Sequence, residues 1–100
     1  MKVAVSEALN IGIDAQKNGR ISEAERVYID ILLNFPSHPD ALHNLGVLVL
    51  SKGDEQRARN YFNRSIASNP KVKQFWLTYL NLLVDLGKLE KAKQIFKQAE

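Results

Sequence analysis

Residues 42–70 read LHNLGVLVLSKGDEQRARNYFNRSIASNP and contain two helical patterns, each followed by a stop signal. The first pattern has apolar residues at the three- and four-residue spacing of a helix and ends at Lys52-Gly53. Gly53 suits the left-handed conformation just past a helix end, and Asp54 suits the N-cap of the next helix. The second pattern ends at Asn69-Pro70, because the residue before a proline is disfavoured in the helical conformation. This stretch therefore predicts a helical hairpin.

The same pattern recurs along the chain with a period of 34 residues and without insertions. The matching columns are Gly12 and Gly46; Gly19, Gly53 and Gly87; Pro36 and Pro70; Ala24, Ala58 and Ala92; and Tyr28, Phe62 and Phe96. A fixed period of this size is the sequence signature of a repeat architecture. We expect a single domain over residues 1–100, with repeats at about 5–38, 39–72 and 73–100. One hairpin cannot bury its apolar face alone, so the three should share a core.

Local signals predict where the other helices begin. Ser22 to Glu25 reads as a capping box for the second helix, after a stop at Asn18-Gly19. His38-Pro39 opens the third helix, with His38 as a turn residue and the proline in a permitted first-turn position. No strand period appears, and short connections make consecutive helices antiparallel. The predicted fold class is all-α, an α-solenoid of three antiparallel helical hairpins.

The composition is that of an ordinary globular chain, with 100 residues, 45% apolar, 25% charged, and a net charge of +3. The lack of cysteine excludes a disulfide framework and a cysteine-ligated zinc site. No apolar run reaches the length of a membrane span, and the start of the chain lacks the apolar run of a secretory signal. These features favour a cytoplasmic location and no membrane partner.

Charge is graded along the chain. Residues 5–38 hold three basic and five acidic side chains, whereas residues 71–100 hold six lysines and three acids. Lysines that are accompanied by neither arginines nor interleaved aromatic residues are a poor signature of RNA binding. We therefore expect no nucleic-acid partner. The aromatic residues of the third unit, Trp76 and Tyr79, read as core.

The chain resembles the tetratricopeptide repeat family over nearly its whole length. The residues that carry the resemblance are Leu42 to Gly46, Gly53-Asp54, Ala58, Phe62 and Asn69-Pro70 in the middle unit, Gly12, Ala24 and Tyr28 in the first, and Trp76, Gly87, Ala92 and Phe96 in the third. The strict period argues against the RNA-reading pentatricopeptide arrays, whose repeat is longer. The resemblance implies a right-handed superhelix. Its glycine and alanine columns let paired helices approach closely, and its aromatic column fills the wedge between hairpins.

Two departures from the family pattern affect the third unit. Leu80 stands where the first two units have glycine, so we expect looser packing or an altered angle in that hairpin. The chain also stops at Glu100, without the solvating cap helix that repeat stacks need for solubility. We therefore expect a fragment of a longer array or a larger protein, or else an exposed end that stacks on another copy.

In this family the first helix of each hairpin lines a concave groove, and the resemblance implies that a partner would bind there. The candidate partner-binding residues are Leu9, Asn10, Ile13 and Lys17 in the first unit, His43, Asn44, Val47 and Leu50 in the second, and Leu77, Asn81 and Val84 in the third. Six of these residues are apolar, which suits a groove for a peptide or helix and equally suits packing along the inner curve. If Leu50 lines the groove, Leu50→Glu should weaken partner binding with little loss of stability.

Asn10 and Asn44 occupy one column, in which the third residue is Thr78. An amide can both donate to and accept from a peptide backbone, as such asparagines do in family members that hold extended peptides. The alternative is that they bond a neighbouring helix. The clamp for C-terminal carboxylates known in this family is excluded, because only Asn44 fits it and a buried carboxylate would lack its cations.

The sequence offers no constellation for catalysis, for a metal ion or for a cofactor. Its two histidines, His38 and His43, have no cysteine or paired carboxylate arranged with them, and its single glycines suit turns rather than phosphate binding. We expect a non-enzymatic scaffold that binds a protein or peptide. The alternatives are the substrate-presenting N-terminal region of a larger enzyme, such as a protein-modifying transferase, and a homo-oligomeric module that stacks through its uncapped C-terminal helix.

Overall fold

The computed structural model describes residues 4–85, 87, 94, 97 and 98. Its helices are α1 (Val5–Lys17), α2 (Ile21–Asn34), α3 (Pro39–Ser51), α4 (Glu55–Ser68) and α5 (Lys73–Asp85). α1 packs against α2 and α3 against α4, while α2 packs against α3 and α4 against α5, so the hairpins stack in chain order. The predicted all-α solenoid is confirmed. Most of the second helix predicted for the third unit, and with it the effect of Leu80 on that hairpin, lies outside the described residues.

The turns have the geometry that their residues predict. Gly19, Gly53 and Gly87 have φ angles of +78°, +87° and +73°, in the left-handed region that favours glycine. Asp54 caps α4, since its carboxylate accepts a hydrogen bond from the backbone N–H of Arg57 at 3.1 Å. His38 is the N-cap of α3 rather than a plain turn residue, since its Nδ1 accepts a hydrogen bond from the backbone N–H of Ala41 at 3.2 Å.

The capping box predicted at Ser22 is wrong. α2 begins at Ile21, so Ser22 lies inside the helix, and the N-cap residue Arg20 makes no side-chain capping bond. The 34-residue period explains the error, because Arg20 occupies the column of Asp54 and a guanidinium cannot accept from a backbone N–H. Arg20 instead bonds Glu23 at 2.8 Å and Asp14 at 3.1 Å, which ties α1 to α2 across the turn.

The core depends on close contact between the glycine and aromatic columns. A Cβ atom added to Gly12 would lie 2.5 Å from Cε1 of Tyr28, and one added to Gly46 would lie 2.5 Å from Cε1 of Phe62. Both distances are below van der Waals contact, so only glycine admits the aromatic ring. Phe62 also reaches the next hairpin, where its ring centroid lies 6.4 Å from that of Tyr79. The predicted close approach and the predicted aromatic wedge are therefore present in the first two hairpins.

Polar contacts also hold one hairpin to the next. The Lys52 ammonium lies 3.1 Å from the Glu25 carboxylate. The Arg64 guanidinium donates to the backbone carbonyl of Pro36 at 3.1 Å. Trp76 is half-buried against the core, and its indole N–H donates to the carbonyl of Pro70 at 2.6 Å. The stack is thus fixed by hydrogen bonds at its turns as well as by apolar burial.

Candidate functional site

The predicted partner-binding residues lie on α1, α3 and α5, the first helices of the three units. The exposed members are Asn10, Lys17, Leu77, Asn81 and Val84. The half-buried members are Leu9, Ile13, His43, Asn44, Val47 and Leu50. All four candidates on the middle helix α3 belong to the half-buried group, so the accessible candidates lie on the two flanking helices.

Part of the predicted apolar row is used by the stack itself. Leu9, Val47 and Leu50 pack against the buried core, which favours the packing alternative for these three side chains. Glu at position 50 would place a charge against apolar neighbours, so we expect Leu50→Glu to lower stability. Leu77 and Val84 are different, with exposed fractions of 44% and 56%.

A line of polar contacts runs across the stack from α1 to α5. The Tyr28 hydroxyl donates to the side-chain oxygen of Gln16 at 2.8 Å. Burial raises the pKa of Tyr28 to about 12, and a hydrogen bond with Asn44 opposes this shift. The Asn44 side-chain oxygen lies 3.3 Å from Nδ1 of His43, whose Nε2 lies 2.9 Å from Oγ1 of Thr78. The line joins residues of all three units, and the sequence patterns did not reveal it.

His43 contributes to the packing of α3 against α5. Its ring stacks on Phe75 with centroids 5.0 Å apart, and it lies 5.9 Å from the ring of Phe62. Burial lowers the pKa of His43, whereas the hydrogen bond with Asn44 and the charge of Asp40 act in the opposite direction. Both ring nitrogens already have partners within the stack, so this side chain acts first as a contact between hairpins.

The two asparagines of the shared column differ in their surroundings. Asn44 is half-buried and bonds its neighbours in the polar line, as the packing alternative predicts. Asn10 is exposed, and its side chain forms no hydrogen bond with another described residue. The Thr78 hydroxyl donates to the carbonyl oxygen of Gln74 at 2.9 Å and also lies 2.9 Å from Nε2 of His43, so it is already engaged within the stack. Asn10 is therefore the member of this column whose amide is free to meet a ligand.

A cavity of about 370 Å³ opens between α1 and α2. Its apolar lining residues are Val5, Ala8, Ile11, Val27, Ile31 and Phe35. Sequence reasoning did not single out this surface. The sequence signal that could have identified it is Ile11, an apolar residue whose equivalents in the second and third units are Leu45 and Tyr79.

Two further observations concern the described part of the chain. No three histidine, cysteine, aspartate or glutamate residues in it are grouped so that they could hold a metal ion. None of its helices is long and apolar enough to cross a membrane.

Comparison with known proteins agrees with the geometry. Tetratricopeptide repeat profiles match residues 9–73 and residues 74–100. The photosystem I assembly protein Ycf3 of Prochlorococcus marinus (strain NATL1A) is 35% identical over 63 residues, which are 60% of this chain and 36% of Ycf3. The chain therefore spans about a third of that relative.

Two solved structures share the fold. The structure of MamA superimposes with a TM-score of 0.86 at 17% identity, over 95% of this chain and 56% of MamA. A mutant of the Thermobaculum terrenum O-GlcNAc transferase superimposes with a TM-score of 0.81 at 24% identity, over 99% of this chain and 20% of the transferase. At these identities the likeness concerns the fold alone. With the repeat profiles, the glycine turns and the stacked hairpins in agreement, the chain belongs to the tetratricopeptide repeat family.

Proposed function

We propose that this chain is a non-catalytic module that binds an extended peptide segment of a partner protein along the inner faces of α1, α3 and α5. Protein–protein interaction is typical of the family. Ycf3, a relative over part of its length, is a photosystem I assembly protein, and assembly of other proteins requires contact with them. We identify the partner only by its chemistry: it offers a peptide backbone whose N–H and C=O groups are free to form hydrogen bonds.

The observation that carries the proposal is the exposed amide of Asn10. It has both a donor and an acceptor to offer, and no other described side chain occupies either. An extended peptide presents alternating N–H and C=O groups along its edge, which an amide can meet in either sense. The exposed side chains Lys17 and Asn81 add polar groups on the flanking helices.

A helical ligand fits the inner face less well. Helix-in-groove binding needs a row of accessible apolar side chains. Leu9, Val47 and Leu50 pack against the core, so only Ile13, Leu77 and Val84 of the predicted apolar row remain as candidates. The available surface is therefore more polar than the apolar pattern of the sequence predicted, and this favours a peptide backbone as the ligand.

The test begins with selection of peptides on the wild-type chain from a displayed random library. The selected peptide is then titrated calorimetrically into wild type, Asn10→Ala and Asn60→Ala. Asn60 is an exposed asparagine of α4, so its variant is a matched control for loss of an amide away from the inner face. Loss of one or two hydrogen bonds from Asn10 should weaken binding about five- to thirtyfold, since each is worth about 1 kcal/mol.

Asn10→Ala should melt at the same temperature as wild type, because its side chain is exposed. The proposal is wrong if the selected peptide binds the Asn10 variant as tightly as it binds wild type, or if Asn60→Ala weakens binding equally. Failure to select any peptide would also count against it.

A further inference from the structure

The outer surface of α2 carries large apolar side chains that hairpin packing does not explain. Leu33 is 75% exposed and Ile29 is 36% exposed, and their spacing of four residues places them on one face of the helix. Their column equivalents on α4, Asn63 and Ala67, are also exposed, so the exposure of this face does not depend on the place of a unit in the stack. The first unit therefore exposes isoleucine and leucine where the second unit has asparagine and alanine.

One side of α4 combines two arginines with a tyrosine. Arg57, Tyr61 and Arg64 follow one another at intervals of four and three residues, which places them on one face of the helix. Cζ of Arg57 lies 5.7 Å, and Cζ of Arg64 lies 5.8 Å, from the centroid of the Tyr61 ring. The Arg57 guanidinium also donates to the Tyr61 hydroxyl at 3.3 Å. Two guanidinium groups thus lie beside a single aromatic ring.

Contacts between the units place this side of α4 along α2. The Arg64 guanidinium donates to the carbonyl of Pro36, just past the end of α2, at 3.1 Å. Nearer the start of both helices, a hydrogen bond with Tyr61 raises the pKa of Arg57, and the charge of Glu25 on α2 adds to this shift. The two arginines therefore meet the first unit at two separate points along α2.

The exposed apolar residues of α2 lie on the same face as Glu25, since Ile29 and Leu33 follow it at intervals of four residues. α2 and α4 both pack on α3, so α3 lies beneath the space between them. The apolar and basic side chains consequently border one surface on the second helices of two neighbouring units. We call the surface of Ile29, Leu33, Arg57, Tyr61 and Arg64 the outer cluster.

The carboxylates of the chain match the positive charges of the outer cluster only in part. Among the residues that the structure describes, no carboxylate forms an ion pair with Arg64. The carboxylate paired with Arg57 is that of Asp54, at 3.9 Å, and it also caps α4. Glu25 is 22% exposed and is paired with Lys52 at 3.1 Å. An anionic group from another molecule would therefore complement this surface.

We propose that the outer cluster binds an acidic segment of a partner protein, whose carboxylates meet Arg57 and Arg64 and whose apolar side chains cover Ile29 and Leu33. A guanidinium group binds a carboxylate through paired hydrogen bonds, and arginine and tyrosine are enriched at protein interfaces. Contact with the partner also removes the exposed isoleucine and leucine from water. The outer cluster lies on second helices rather than first helices, so this inference does not depend on peptide binding by the inner face.

A nucleic acid fits the outer cluster less well than an acidic protein segment does. Stacking of a base needs an open aromatic face, whereas the Tyr61 ring already has two guanidinium groups beside it. A phosphate backbone would gain nothing from the exposed side chains of Ile29 and Leu33, and the nearby carboxylate of Glu25 would repel it. An acidic segment with apolar residues uses both parts of the surface.

The test selects peptides that require the outer cluster. A displayed random library is selected on wild type and then depleted on the double variant Arg57→Gln/Arg64→Gln. We expect the recovered peptides to be enriched in aspartate and glutamate next to leucine, isoleucine or phenylalanine. The melting temperature of the double variant is measured first, and Leu33→Glu replaces it in the depletion if it does not fold.

A recovered peptide is then titrated into wild type, Arg64→Gln, Leu33→Ser and Arg59→Gln. Arg59 is the matched control, because it lies on α4 two residues from Arg57 and so on a different side of the helix. Arg64→Gln should weaken binding about tenfold, through loss of a charge-assisted hydrogen bond. Leu33→Ser should weaken binding about threefold or more, through loss of apolar contact.

Arg59→Gln should bind the recovered peptide as wild type does, and so should Asn10→Ala, whose substitution lies on the inner face. High salt should weaken binding to wild type, because it screens exposed charges. These controls separate the outer cluster from the overall charge of the chain and from the inner face, so that either proposal can fail without the other.

The proposal is overturned if no peptide survives the depletion, or if the surviving peptides show no excess of acidic residues. Equal losses of affinity in Arg59→Gln and Arg64→Gln would also overturn it, because the effect would then be one of overall charge. Undiminished binding by Arg64→Gln and Leu33→Ser, both folded, would contradict it as well. A single-stranded oligouridylate that binds wild type more tightly than the recovered peptides, and the double variant weakly, would assign the surface to RNA instead.

Discussion

Nε2 of His43 lies 2.9 Å from Oγ1 of Thr78, and this contact joins α3 to α5 across 35 residues of sequence. The same ring stacks on Phe75, so a polar residue and an aromatic surface together fix the third unit on the second. The column of His43 holds leucine in the other two units, Leu9 and Leu77. The middle of the stack therefore has a titratable side chain at a position where the other two units have an apolar one.

Acidification should destabilise the stack through His43. Burial holds the pKa of His43 below its ordinary value of 6.5, so the unfolded chain takes up this proton at a higher pH than the folded chain does. The contribution of His43 is therefore constant above the unfolded pKa, and stability falls as pH drops through 6.5 toward the lower folded pKa. The slope for one group is at most about 1.4 kcal/mol per pH unit.

Urea unfolding measured from about pH 7.5 to about pH 5.5 checks this expectation, since carboxylates titrate mostly below that range. The control is His43→Gln, which removes the titrating group and should flatten the slope. An equal slope in both proteins would show that His43 is not the group responsible.

Substitution of Gly46 by alanine should destabilise the chain. In an open helix this change gains about 1 kcal/mol, but here the new Cβ would lie 2.5 Å from the Phe62 ring. Overpacking costs about 1–3 kcal/mol, so we expect a net loss of about 1 kcal/mol, and at most about 2 kcal/mol, in the free energy of unfolding. Urea titrations of wild type, Gly46→Ala, Phe62→Leu and the double variant measure the coupling. Strictly additive effects would refute direct contact between the two positions.

The two hairpin turns should respond differently to loss of a capping side chain. Asp54→Ala removes a carboxylate that accepts from the N–H of Arg57, and should cost about 1 kcal/mol. Ser22→Ala, in the motif that reads as a capping box, should change stability by less than about 0.5 kcal/mol, because Ser22 lies inside α2 and is exposed. Thermal unfolding of the two variants checks this contrast. A greater loss of stability from Ser22→Ala than from Asp54→Ala would contradict it and indicate that Ser22 caps α2.

Leu50→Glu should lower stability, in contrast to Leu33→Glu. Leu50 is half-buried against the core, and its replacement loses apolar burial and desolvates a charge, at a cost of about 2 kcal/mol. Leu33 is 75% exposed and should tolerate the same change within about 0.5 kcal/mol. Differential scanning calorimetry should show a fall of about 8–16 °C in melting temperature for the Leu50 variant alone. Equal melting temperatures for the Leu50 and Leu33 variants would contradict this expectation and indicate that Leu50 lines the groove.

The fold could be predicted from sequence because its determinants are local and repeat. Gly53 and Asp54 mark a turn and a cap within a few residues, and the 34-residue period transfers that reading to the other units. The error at Ser22 came from favouring a local motif over the period, which places the cap at Arg20.

The candidate site was harder to predict, because it depends on the angle at which hairpins meet. A sequence column states which residues share a register, but not whether a neighbour covers them. His43 and Leu77 share a column, yet one is packed between hairpins and the other is 44% exposed. Ile11 and Leu45 differ in the same way at the first unit. The exposure of such residues follows from their place in the stack, which the period alone does not encode.

The most direct test of the central claim, that the inner face is the partner-binding surface, is a ¹H–¹⁵N titration of the wild-type chain with the selected peptide. We expect shifts in the side-chain amides of Asn10 and Asn81 and in the backbone amide of Lys17, with the side-chain amide of Asn60 unchanged. Shifts confined to Ile11 and Phe35 beside the cavity between α1 and α2, or to the α4 surface around Asn60, would contradict this claim.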